Sequence, residues 1–425
     1  MSVRGGGVRG AGWRTRATRR LLRASAPFGC FKASRQGQRV RLSNNDRSPK
    51  LKLQEEKQIT IGTKTYDSRA PLIIAELGTG HNADRIKGAE LIDAAAEAGA
   101  GCVKFQLVYA DEILHPNTGE VLLPGGRIRL FDRFKQLETP PDFLAEMKEL
   151  VEKRGLLFLC TPFGIRSARE LRDLKPSVVK IASPELNYTA LLKEVASYRL
   201  PVLLSTGVSK LSDIEAALAL FPPDFPHDGK ICLLHCVTAY PAPETDYNLR
   251  VLPSLFAVFG VPTGVSDHSL DPSLIPCLTV AMGGVAVEKH FCLSRSDEGL
   301  DDPIALEPQA FSQMVRDVRA VSAMGSGAID ALMRERGGAL VEKVLGDGVK
   351  RLASSEAANY ERTNRSIHAL RDIQAGEVIT ADMIAILRTE KILRPGLPPA
   401  FEPMIIGRKA SEFIPAGQGI TFQVF

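Results

Sequence analysis

The sequence predicts an α/β protein, a (β/α)8 TIM barrel of parallel strands followed by a small β-rich domain. Three observations carry this expectation. Eight short apolar runs alternate with helix-like segments between residues 71 and 291, and each run ends in polar side chains. No dinucleotide-type GxGxxG follows the first run, which disfavours an open doubly wound sheet. The C-terminal stretch repeats a turn motif of its own.

In chain order the runs are "PLIIAEL" (71–77), "GCVKFQ" (101–106), "LLFLCTP" (156–162), "SVVKIAS" (177–183), "PVLLSTG" (201–207), "KICLLHC" (230–236), "PTGVSDH" (262–268) and "GVAVEKHF" (284–291). Near-continuous apolar strands imply a sheet buried on both faces, as parallel sheets are. Between them lie segments such as "GAELIDAAAEAGA" and "PDFLAEMKELVEKRG", with apolar residues at helical spacing and glycine at the stop. Eight units without a clear ninth predict closure into a barrel over 58–335, ending in a helix from 308 to about 335. A polar linker is expected over 336–362 and a terminal domain over 363–425. There "IQAGEVIT" (373–380) and "IPAGQGIT" (414–421) share Ile, Ala-Gly and Ile-Thr, 41 residues apart. A core of roughly sixty residues is marginal, so this domain should dock on something.

The formal charge of +5 is unevenly spread: residues 1–50 contain eleven Arg, two Lys and one acid, a balance of +12 that leaves −7 for the remainder. No basic nucleic-acid surface is expected on the folded part, and the head lacks a groove-reading pattern. Residues 1–57 read as a basic leader that cannot bury enough to fold: a disordered extension, an upstream start, or a transit peptide. The seven cysteines show no CxxC pairing, which suits reduced thiols in a cytoplasmic compartment. No stretch is long and apolar enough to predict a membrane span.

Active sites of such barrels assemble at the C-terminal strand ends. Those ends supply Glu76, Lys104, Gln106, Thr161, Lys180, Ser183, Ser205, Thr206, His235, Ser266–His268 and Glu288–His290. His268 and His290 close consecutive strands, about 4.8 Å apart, and can converge on one divalent cation with positions left open; core histidines satisfied by hydrogen bonds are the alternative. Lys104 and Lys180 sit within apolar strand ends, where a buried ammonium needs an anion. With the neighbouring hydroxyls they suit a phosphate-carboxylate ligand; internal ion pairs to Glu76 or Glu288, or a lysine Schiff base, are the other readings.

The ordered motifs "IIAELGTGHN", "VKFQ", "CTPF", "KIASPE", "LLSTG", "LLHCVTAYP", "GVSDHSL" and "VEKHF" resemble the sialic acid synthases, the nonulosonic acid synthase family. The likeness runs from about residue 58 to the C-terminus, and the last domain looks like that family's antifreeze-like (β-clip) domain. The resemblance implies a transferase that condenses phosphoenolpyruvate with an N-acetylated hexosamine such as N-acetylmannosamine, with a divalent metal, Mn or Mg, Mn favoured. It implies that His268 and His290 hold the metal, and that Lys104, Thr161, Lys180, Ser183, Ser205 and Ser266 bind phosphoenolpyruvate. Gln106, Tyr240 and Asp301 would face the sugar, and Glu76 and Glu185 match active-site carboxylates. Glu76 would guide water to C2, and Asp267 would orient His268 or bond a donor nearby. Arg394 in "LRPGLPP" matches an arginine that the terminal domain places in the partner's barrel mouth, hence a homodimer.

Three departures bear on the sugar: Gly80 before His81, Thr238 in "HCVTAYP" where many members have Asn, and Pro184 in "ASPEL". They leave N-acetylmannosamine, its 6-phosphate and the diacetamido hexoses as candidates. The rival readings are another phosphoenolpyruvate aldol synthase on the same barrel, and an inactive sugar-binding protein.

Overall fold

A computed structural model describes residues 57–425 except 124–125, 224, 226–228, 298 and 391. The basic leader expected over 1–57 lies, but for Lys57, outside the described residues. A hairpin, β1 (Ile59–Ile61) with β2 (Lys64–Tyr66), comes first. The eight expected strands follow: β3 (Leu72–Gly78), β4 (Cys102–Leu107) and, after a second hairpin of β5 (Glu120–Leu123) and β6 (Gly126–Arg129), β7 (Leu157–Pro162). The set is completed by β8 (Val179–Ile181), β9 (Val202–Ser205), β10 (Ile231–Cys236), β11 (Thr263–Asp267) and β12 (Ala286–His290). They form one parallel sheet in the order β7-β4-β3-β12-β11-β10-β9-β8, and its two ends, β7 and β8, lie side by side, so the sheet curls round as a barrel. Helices such as Arg85–Glu97, Phe143–Lys153 and Pro308–Met324 cover its outside. The first starts at a sequence-visible cap: the Asp84 carboxylate accepts the N–H groups of Ile86 and Lys87 at 2.7 and 3.2 Å.

Strand alternation decides what each side chain can do. Leu72, Ile74, Cys102, Leu159, Leu203, Cys232, Leu234 and Ala286 fill the barrel interior, and Ile59 and Ile61 of the hairpin join them. Their neighbours Ile73, Val103, Phe158, Leu204, Leu233 and Val287 face the helices in a separate core. Side chains alternate with period two. Continuing the interior parity up each strand therefore brings Glu76, Lys104, Gln106, Thr161, Ser205, Ser266, Glu288 and His290 into the mouth.

The linker begins later than expected. Residues Gly338–Leu345 form a helix rather than linker, because Val341, Val344 and Leu345 fall on one helical face and bury in the barrel core. The stretch beyond it is anchored by Glu356, a buried carboxylate that accepts the N–H groups of Val208 and Thr238, both at 2.8 Å, above β9 and β10.

The terminal domain pairs β13 (Arg365–Ala369) with β14 (Ile384–Arg388) antiparallel. It has its own small core, including Ile367, Ile373, Ile379, Ile414 and Ile420. The repeated Ala-Gly corners are both left-handed, with φ of 83° at Gly376 and 89° at Gly417, which explains the repeated glycine. As expected of so small a core, the domain docks, but on its own chain: Asn187 exchanges two hydrogen bonds with the Arg365 backbone (2.8 and 3.1 Å), and Asn117 Nδ2 donates to Ala416 O at 3.2 Å. The six described cysteines are buried and unbridged. Among the described residues no helix is long and apolar enough to cross a membrane.

Candidate active site

The mouth is a chain of buried charges. Glu76 Oε1 receives Lys104 Nζ at 2.7 Å and Gln106 Nε2 at 2.7 Å. Glu288 Oε1 lies 3.7 Å from Lys104 Nζ and 3.6 Å from Lys180 Nζ, and accepts the Ser266 hydroxyl at 2.8 Å. Lys180 also donates to Ser205 Oγ at 2.6 Å. Burial favours the neutral acid at Glu288, but Lys104, Lys180 and the Ser266 hydroxyl outweigh it and hold the carboxyl at about 2. Burial pulls both lysines down; at Lys104 the two glutamates reverse that, whereas Lys180, with Lys104 beside it, stays below the ordinary value.

This balanced set is incompletely satisfied. Glu76 Oε2, Glu288 Oε2, Thr161 Oγ1 and Thr238 Oγ1 are buried without a hydrogen-bond partner. Buried polar atoms are normally paired, so four orphans around one mouth are what a polar ligand or ordered water would complete. Ser183 lies at the same level, its Oγ accepting Gly207 N–H at 2.9 Å. At Gly78, with φ of 55°, an added Cβ would sit 3.3 Å from Gln106 Nε2, 3.6 Å from Glu76 Oε1 and 3.7 Å from Asp301 Oδ2, so these groups crowd around a position where glycine leaves the space.

His268 and His290 stand at the rim with ring centroids 5.4 Å apart. Tyr240 stacks on His268 at 4.2 Å and 25°. Nδ1 of His268 faces Val237 O at 2.8 Å, which directs Nε2 away from the backbone. Cys236 and Asp267 raise His268 to about 9 against the opposing effect of burial, so a cation would compete with a proton there. Burial and the neighbouring His268 push His290 down to about 3, which leaves it a neutral imidazole. Asp301 Oδ2 lies 3.7 Å from His290 Nδ1, and burial raises its carboxyl. Among the described residues no cluster of three or more His, Cys, Asp or Glu forms a closed metal cage. The two imidazoles fit a cation whose other positions are taken by water and substrate oxygens.

Twelve of the expected site residues therefore gather in or beside one mouth: Glu76, Lys104, Gln106, Thr161, Lys180, Ser183, Ser205, Tyr240, Ser266, His268, His290 and Asp301. Two expectations are corrected, the inward positions of Glu185 and His235. Glu185 does not face the lysines; the turn Ser183–Glu185 carries it to the domain interface, where Arg365 and Arg388 hold its Oε1 at 3.1 and 2.7 Å. Arg394, expected in a partner's mouth, is exposed on its own domain, where its backbone N–H donates to Gln418 Oε1 and its guanidinium to Gly419 O. Of the two readings of Asp267 the structure shows the second: it points outward and bonds a nearby donor, Lys289, at 2.6 Å, its register partner on β12. His235 shares that outward parity, with Nε2 facing Tyr247 O at 2.6 Å. Glu288 was underrated, although its interior parity could have found it, and Arg365 and Arg388 were missed because only the docking of two domains brings them to Glu185.

The comparisons identify the family and the fold. The NeuB family profile matches residues 91–329 and a SAF domain profile matches residues 364–423. The spore coat polysaccharide biosynthesis protein SpsE of Bacillus subtilis is 34% identical over 365 residues, 85% of this chain and 95% of that protein. Its crystal structure superposes with a TM-score of 0.70 at 33% identity, covering 86% of this chain and 98% of that one. The N,N'-diacetyllegionaminic acid synthase of Campylobacter jejuni is 32% identical over 76% of this chain and 94% of its own length. The N-acetylneuraminic acid synthetase of Leptospira borgpetersenii, solved with citrate, has a TM-score of 0.57 at 29% identity, covering 72% and 96% of the two chains. This chain belongs to the NeuB family of nonulosonic acid synthases and carries a SAF, or antifreeze-like, domain.

Proposed function

We propose that this protein condenses phosphoenolpyruvate with an N-acetylated amino sugar, forming a nine-carbon 2-keto sugar acid and inorganic phosphate. The carrying observation is the mouth itself: two buried lysines and several hydroxyls beneath a pair of rim histidines, with orphaned oxygens between them. Lys104, Lys180, Ser183, Ser205 and Ser266 would bind the phosphoenolpyruvate anion, drawing the lysines off Glu76 and Glu288. Thr161 Oγ1, unpartnered, offers a further donor. Gln106, Tyr240 and Asp301 would position the sugar so that C3 of phosphoenolpyruvate meets its aldehyde carbon. Water then adds to C2, guided by the unpartnered Glu76 Oε2, and the adduct loses phosphate to leave the ketone.

His268 and His290 would hold a divalent cation, Mn or Mg with Mn favoured by imidazole ligands. When bound, it supplies Lewis acidity at the aldehyde oxygen. The proposal includes a cytoplasmic homodimer: Arg394, exposed on its domain, would then act on a second chain. Mixed dimers of Lys104→Ala and Arg394→Ala chains should recover activity that neither variant has alone, and no recovery would remove the dimeric part.

The reaction is tested by phosphate release from phosphoenolpyruvate with Mn, across N-acetylmannosamine, its 6-phosphate and diacetamido hexoses, with product masses. Release with one sugar and a nine-carbon product is expected. A shorter keto acid, or no release with any sugar, would overturn the assignment.

A further inference from the structure

The strands do not fix the whole rim of the mouth by themselves. Between the helix Gly338–Leu345 and β13 the linker passes the ends of β9 and β10 and bonds the backbone of the two loops that leave them. Lys350 Nζ donates to Thr206 O at 2.7 Å. Glu356 Oε2 accepts the N–H groups of both Val208 and Thr238 at 2.8 Å. The carbonyls of the same two residues are taken as well: Asn364 Nδ2 donates to Val208 O at 3.1 Å and Asn359 Nδ2 to Thr238 O at 2.9 Å. Each loop is thus gripped at one residue by a donor and an acceptor from the linker.

Glu356 is the centre of this clamp. It is 1% exposed, and its other oxygen accepts Ala353 N–H at 3.1 Å, so a buried carboxylate serves three backbone N–H groups. Val208 needs such a hold: it is β-branched at a φ of 39°, a strained conformation that persists only where the surroundings over-determine it. The clamped loops adjoin the groups of the mouth. Ser205, which accepts a hydrogen bond from Lys180, lies three residues before Val208. Gly207 N–H donates to Ser183 Oγ at 2.9 Å, and an added Cβ at Gly207 would collide with Thr238 Oγ1 of the second loop. A shift of either loop is therefore passed through Gly207 to Ser183 and to the unpartnered Thr238 hydroxyl.

We propose that Glu356 is a positioning residue for the anion-binding side of the mouth: through it the linker holds the loops after β9 and β10 in the arrangement that binds phosphoenolpyruvate. The inference rests on the reaction proposed above, which assigns Ser183 and Ser205 to that substrate.

The test compares wild type with Glu356→Ala and with Glu356→Gln, whose amide oxygen can still accept the two N–H groups. Steady-state kinetics, calorimetric titration of phosphoenolpyruvate, melting temperature and hydrogen exchange at the Val208 and Thr238 amides are measured on the full chain. The alanine variant should raise the KM and Kd of phosphoenolpyruvate by about tenfold to a hundredfold, as small misplacements of binding groups do, and should lose protection at both amides. The glutamine variant should recover most of both. A lower melting temperature and a smaller active fraction, with the Kd and KM of phosphoenolpyruvate unchanged, would reduce Glu356 to a structural role and overturn the proposal. If the alanine variant does not fold, Asn359→Ala, which releases only Thr238 O, should shift the same constants in the same direction by less, and unchanged constants would again overturn it. Should the wild type bind no phosphoenolpyruvate, the reaction assignment fails, and exchange still decides the positioning: protection lost with alanine and kept with glutamine supports it, whereas equal protection in all three proteins overturns it.

Discussion

Strands β11 and β12 carry, side by side, the acids of two buried acid–lysine systems. Asp267 and Lys289, facing outward, are both fully buried, and Lys289 Nζ also donates to Ser269 O at 2.7 Å and Asp271 O at 3.2 Å. Glu288, one residue away and facing inward, is shared between Lys104 and Lys180 at 3.7 and 3.6 Å, with its second oxygen unpartnered. The chemical groups are the same, so the difference is geometric. A short pair closed by carbonyls has no capacity left for a ligand, whereas long contacts and orphaned oxygens can be rearranged by one. Buried ion pairs contribute little net stability and are costly to break from one side. The outer pair is therefore read as structural and the inner set as functional.

The strongest way to break that distinction is at the rim. Chelation, or His290→Ala, should abolish phosphate release while the melting temperature stays within a few degrees; full activity in the metal-stripped protein would remove the metal reading. Next, Lys180→Met should lower kcat/KM by about 10²- to 10³-fold with little effect on folding, as expected when a preorganised cation is removed. Lys289→Met should do the reverse, costing about 3–5 kcal/mol in urea unfolding by stranding Asp267, and Asp267→Leu in the same chain should recover most of it. If Lys289→Met instead impaired turnover in a fully stable protein, the two systems would not be separable.

The smallest expected effect is in acid. Glu288 is held at about 2, below its ordinary 4.5, so its contribution to stability is complete above about 4.5 and disappears as the pH falls towards 2. Unfolding midpoints at pH 6 and pH 3 should therefore diverge more for wild type than for Glu288→Gln. Equal pH dependence in both would show that the carboxylate is not depressed in the folded state.

Much of the site was legible because strand-end residues are local. The run "SVVKIAS" places Lys180 at a strand end, and "GVAVEKHF" does the same for Glu288 and His290. Counting parity along each strand from its apolar residues would also have turned Asp267, Lys289 and His235 outward, since a one-residue step changes the face. The linker helix Gly338–Leu345 was hidden by flanking glycines and charges, although Val341, Val344 and Leu345 carry a helical period.

By itself the sequence determined the eight-unit barrel, the two rim histidines, the paired lysines and the left-handed Ala-Gly corners, because periodicity and backbone conformation are properties of short stretches. Only the tertiary structure decided that Glu185 is gripped by Arg365 and Arg388, that Glu356 caps the N–H groups of Val208 and Thr238, and that Arg394 stays outside its own mouth. Each of those contacts joins residues more than a hundred positions apart, or depends on how two domains dock, and no local pattern encodes that register.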